Sequence, residues 1–248
     1  MKHAALLLAC CVVSGLALGQ VTGIHAEVIA NHDTTGIPEL EGMKTYHLYA
    51  QMTQATDELS AVFGDQATPL HVNSTEGFYQ SALGADFGWA LNSAVLPFFP
   101  EVNYDSWFTI GVTDNSMGSL AGAIGLDLAL SSFNSGGNFV VDDPIGGSVF
   151  TLLGDANAVA GADERVLIAQ LTTAGELSGS INVQMFVEGL QSESMQVLAM
   201  PIELPQGCGD TEACNYNPEF GPEETAECLY PNVCEDCEGN CIDANGNG

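Results

Sequence analysis

Between Gln20 and Pro205 the chain alternates short apolar and β-branched runs with Gly, Asp, Asn and Pro. Successive side chains of an extended chain point to opposite faces, so period-two alternation predicts strands and the intervening residues predict turns. Eleven candidate strands follow: 24–30, 45–52, 60–63, 70–73, 107–112, 121–130, 139–141, 148–153, 166–171, 179–187 and 195–202. In the second, Tyr46, Leu48, Ala50 and Met52 give an apolar face, and Thr45, His47, Tyr49 and Gln51 a more polar one. Such a strand forms one wall of a sandwich. Helical periodicity is nowhere sustained, although 92–99 has room for a turn or two before Pro100. The pattern predicts an all-β domain over 20–205, a two-sheet β-sandwich of jelly-roll type. A chain of that size buries about 70% of its unfolded surface without needing disulfides. Pro201, Pro205 and Gly207 mark its end.

Residues 1–19 show a different pattern. A short basic start, Lys2-His3, precedes the apolar run 4–18, and Ala17-Leu18-Gly19 offers a small-x-small cleavage site. This predicts a secretory signal peptide, with lipoprotein processing at Cys10 as the alternative. No later apolar run approaches the ~20 residues of a membrane span. The pattern therefore predicts an exported chain, secreted or held at the cell surface.

After residue 205 the cysteines take over. Cys208, Cys214, Cys228, Cys234, Cys237 and Cys241 lie close together, while 20–205 contains none. A segment this short cannot build a core of its own and needs covalent or metal cross-links. Six cysteines in an exported chain predict three disulfides, with 15 possible connectivities. Zinc is the rival, because Cys234-Glu-Asp-Cys237 has zinc-ribbon spacing. The sequences Gly207-Cys208-Gly-Asp210-Thr-Glu-Ala-Cys214-Asn-Tyr-Asn-Pro218, Cys228-Leu-Tyr-Pro231 and Asp236-Cys237-Glu-Gly-Asn-Cys241 resemble a Cys-rich repeat of large secreted and surface proteins of marine bacteria. The resemblance implies a stalk or spacer over 206–241 that joins a folded domain to further domains of a larger surface protein. Asp210 keeps the place of the repeat's Asp, and Gly209 stands where the repeat has Thr. More loosely, Gly42-Met-Lys-Thr-Tyr46, Asp105-Ser-Trp107-Phe-Thr-Ile-Gly111 and Arg165-Val-Leu-Ile-Ala-Gln170 resemble a domain that precedes such repeats in secreted bacterial proteins. That likeness implies one continuous unit and carries over no catalytic residue. In 242–248, Asp243 and Asn245 with Gly246 open a calcium-loop pattern whose later ligands would follow Gly248, so the loop is expected to continue beyond this sequence; the alternative is a disordered Asn/Gly tail.

Charge narrows the partners. Thirty-two Asp and Glu stand against three Lys and Arg, a formal net charge of −29. Nucleic acid and anionic lipid are bound through Lys and Arg, so neither is expected as a partner. The acidic surface instead suits solubility in salt.

Candidate chemistry is sparse. The sequence has no nucleophile-elbow, zinc-protease, Walker A or dinucleotide motif. A triad would have to be assembled from His25, His32, His47 or His71, and histidines on strands are more often structural. A glycoside hydrolase needs two carboxylates across a cleft, for which Asp86, Asp105 and Asp142-Asp143 are available. For calcium, Asp155, Asn157, Asp163 and Glu164 place hard oxygens in one turn; the alternative is an Asx turn capping its own backbone. Asp142-Asp143-Pro144 is a second, weaker calcium candidate. Nine aromatic residues fall within 78–108, either as core or as a glycan-binding platform, with Trp89 the ring expected to be exposed. The sequence therefore predicts a non-enzymatic structural or adhesive module, with calcium in its acidic loops as a candidate stabiliser. A carbohydrate-binding module is the second expectation and a secreted glycoside hydrolase the third.

Overall fold

The computed structural model describes residues 20–205, 207–217, 228–231 and 237. Residues 1–19 with Cys10, the expected signal peptide, and Cys234, Cys241, Asp243 and Asn245, lie outside the described residues.

Eleven strands form where alternation places them: β1 (Val21–Asn31), β2 (Lys44–Met52), β3 (Glu58–Gly64), β4 (Leu70–Ser74), β5 (Trp107–Phe108), β6 (Gly122–Ile124), β7 (Phe139–Val141), β8 (Gly147–Phe150), β9 (Arg165–Thr173), β10 (Leu177–Phe186) and β11 (Ser194–Glu203). Their order is β5-β9-β2-β1-β11-β10-β3-β8-β6, with β4 paired to both β10 and β7. β10 accommodates two partners on one edge because Leu177–Ser180 pair with β4 and Asn182–Phe186 with β3.

The all-β expectation holds, and the two walls of the sandwich are continuous. β1 pairs in parallel with β11 through Ile24↔Ile202 and His25↔Glu203, which joins the halves into one curled sheet. The curl brings Leu48, Ala50 and Ile168 of one half into a single core with Val62, Val72, Val183 and Met185 of the other.

Three predicted strands were wrong in part: of 107–112 only Trp107–Phe108 is paired, 148–153 ends at Phe150, and 121–130 changes type. Only Gly122–Ile124 of 121–130 is extended, and Asp127–Phe133 forms the helix α1. Leu126, Leu128 and Leu130 imitate alternation, but Ala129 and Phe133 are the buried pair, at the i, i+4 spacing of a helix face. Gly125 makes the break: its φ is +70°, and a Cβ there would stand 2.3 Å from the Gly146 carbonyl oxygen.

The 79–106 excursion covers the outer face of β2 and β9. Leu91 and Val102 pack with Trp107 and Leu167 in a small second core. The polar face of β2, which alternation alone would leave in water, therefore lies under a lid. The lid's carbonyls find donors on β9, with Gln170 Nε2 donating to the Asn103 and Asp105 oxygens and Thr172 Oγ1 to that of Tyr104.

Candidate functional site

A concavity lies at the end of the sheet where β1 turns into β2 and β9 turns into β10. It is a groove of about 510 Å³. Asn31, Asp33, Lys44, Tyr46 and Glu176 contribute amide, carboxylate, ammonium and aromatic groups to its walls. Tyr46 is half-buried and packs on the core, so its ring is held in place. Sequence reasoning missed this groove. Its walls come from segments more than a hundred residues apart, and Tyr46 stood only as one more apolar-face residue.

The histidines and buried acids under the lid are engaged in structure. His47 Nε2 bonds Gln170 Oε1 at 2.9 Å and Nδ1 meets the Tyr49 hydroxyl at 3.2 Å. His32 is clasped by the Thr45 and Thr35 hydroxyls at 2.8 and 3.0 Å. Burial lowers the pKa of both imidazoles and keeps them neutral at pH 7. Asp105 is 1% exposed and accepts from the backbone N–H groups of Ser81 and Ala85 at 2.7 and 2.8 Å, pinning the start of the lid. Burial pushes its carboxyl up to about 6, against the pull of these N–H groups and that of Ser106. His25 contacts Glu203 at 3.2 Å across the β1–β11 seam.

The aromatic cluster divides. Phe78, Trp107 and Phe108 are buried, as the core alternative requires. Trp89 is half-buried and lies flat on Phe87, with centroids 4.5 Å apart and planes 5° apart. The ring expected to be exposed is therefore stacked on a neighbour, and Phe98, 77% exposed, takes that place.

Asp155 and Asn157 do come together. Asp155 caps the 3-10 turn Ala156–Ala158, with Oδ1 accepting from the N–H and side-chain amide of Asn157 at 3.0 and 2.8 Å. Its Oδ2 accepts from the Leu120 N–H at 2.8 Å and the Thr151 hydroxyl at 2.9 Å. Burial opposes ionisation here, but these donors outweigh it and hold the carboxyl below its usual pKa. Asp163 and Glu164 are exposed, and Glu164 takes a left-handed conformation with φ of 52°. The geometry is that of an Asx cap closing its own loop. Among the described residues no group of three or more His, Cys, Asp or Glu is placed to hold a metal ion.

Two disulfides form in the tail, Cys208–Cys228 and Cys214–Cys237. Cys237 is thereby oxidised, which overturns the zinc-ribbon alternative for the Cys234–Cys237 pair. Tyr230 donates to Asp210 Oδ2 at 2.7 Å, so Asp210 ties residues 207–217 to 228–231. No described helix is long and apolar enough to cross a membrane. No family model, no curated protein and no solved structure matches this chain.

Proposed function

We propose that the chain is a non-enzymatic extracellular module, a rigid β body on a cross-linked acidic stalk, serving a structural or adhesive role in a larger surface protein. The interleaving of the two tail disulfides supports this best. Cys214 lies inside the loop closed by Cys208–Cys228, and Cys237 lies outside it. Either bridge alone therefore keeps the tail short when its ends are drawn apart. Bridges of this kind persist in oxidising surroundings and contribute about 2–4 kcal/mol each. The engagement of His32, His47 and Asp105 in structural hydrogen bonds agrees with the same role.

The groove favours a second reading, carbohydrate binding. A fixed tyrosine ring beside an amide and carboxylates matches a sugar's apolar face and hydroxyls. One experiment separates the readings: the oxidised full chain is incubated with a panel of polysaccharides, and both retention and release of reducing ends are measured. The structural role predicts neither. Retention lost on Tyr46→Ala would establish glycan binding at the groove, and release abolished by a single carboxylate substitution would establish a hydrolase.

A further inference from the structure

We propose that the body bears load in shear along β1 and β11 when the chain is pulled between the start of β1 and the tail. The inference rests on the structural-module reading above and adds the direction in which the module is strong.

The register carries it. β1 and β11 run parallel, and only the start of one overlaps the end of the other, at Ile24↔Ile202 and His25↔Glu203. Val21, where β1 begins, lies three residues before that overlap, and Glu203, where β11 ends, closes it. The two attachment points are thus separated by roughly 13 Å along the strands and about 4.8 Å across them. A force between them runs nearly parallel to the strands, drawing β1 backward and β11 forward past each other.

Each strand is also held on its other edge. β1 pairs with β2 from Val21↔Met52 to Asn31↔Lys44, and β11 pairs with β10 from Ser180↔Pro201 to Phe186↔Ser194. Both ladders lie along the pulling direction, so their hydrogen bonds are loaded together instead of opening one after another. Ile24 and Ile202 are core residues, so sliding the seam also disturbs the packing beneath it. Beyond Glu203 the load enters the tail at Cys208, which is fully buried and cross-linked to Cys228. A strand-to-stalk connection of this kind passes tension into the centre of the sheet, away from the short edge strand β6.

The test is single-molecule force spectroscopy on the oxidised full chain with two tether geometries at the same loading rate. In one, short ligation tags sit at Gln20 and after Gly248. In the other, the first tag is moved to Ala174, an exposed residue just before β10. There the pull separates the start of β10 from the end of β11 and peels their ladder from Ser180↔Pro201 onward. Unfolding under force is governed by the unfolding rate, so the shear geometry should unfold at a force about twofold or more above the peeling geometry. Both geometries use the same sequence, and equal melting temperatures confirm the same fold; if the Ala174 tag lowers the melting temperature, a tag at Glu176 gives the same pull. Equal forces, or a weaker shear geometry, would overturn the inference and leave the structural-module reading standing. Turnover on the polysaccharide panel would instead remove that reading.

Discussion

Asp105 is a single carboxylate holding a lid of more than twenty residues. It accepts from two N–H groups near the start of the lid while its own backbone lies at the end. Its carboxyl binds a proton more tightly folded, at about 6, than at the ordinary 3.8, so stability from this group is present at low pH and falls as pH rises across that interval. Thermal melts between about pH 4 and about pH 6 should therefore show a shallower downward slope with rising pH in Asp105→Asn than in the parent. Identical slopes would contradict the assignment. At pH 7 the variant should lose about 1–3 kcal/mol, because an amide nitrogen cannot accept from the N–H it would face. Asp155 gives the complementary test. Asp155→Ala should cost about 1–3 kcal/mol by chemical denaturation through loss of its cap and its bonds to Leu120 and Thr151. That loss should be equal in millimolar calcium and in chelator, and a calcium-dependent gap would assign the loop to a cation.

At the scale of elements, alternation was a reliable guide wherever a strand has one wet and one dry face. β4, with its alternating buried and half-buried positions, was legible for that reason, whereas β9, buried on both faces, was legible from its β-branched and apolar run. The helix α1 was not, because leucines at every second position in 126–130 fit a strand, while the residues that settle the matter, Ala129 and Phe133, look ordinary in sequence. Phe133 is fully buried against Phe78, Phe108 and Phe139, whereas Leu128 is 74% exposed. Phe133→Ala should therefore cost about 3–5 kcal/mol in urea unfolding and Leu128→Ala about 0.5 or less. Equal costs would contradict the helical register. The lid was equally hidden. Its residues 79–106 carry no regular period, and the polar face of β2 that it covers has the composition of a solvent face. The groove was illegible for a third reason, since Tyr46, Lys44 and Glu176 meet only after β1, β2, β9 and β10 have assembled.

For the whole molecule, the cysteine-rich tail was recognisable as a covalent unit, but its pairing was not, because spacing alone allows every connectivity. The observed pairing gives the proposed stalk two redundant load paths. With both bridges intact, tension entering at Cys208 reaches Cys237 through only the six residues to Cys214 and one disulfide. Reduction of both releases the sequence separation of 23 between Cys214 and Cys237, roughly 80 Å of extended chain. The decisive measurement is the contour length of the full chain under force, oxidised and then reduced. The account predicts a gain of at least roughly 80 Å on reduction and only about 10 Å when Cys214–Cys237 alone is removed by Cys214→Ser. A tail already at full length when oxidised, or the whole gain appearing in the single variant, would contradict it.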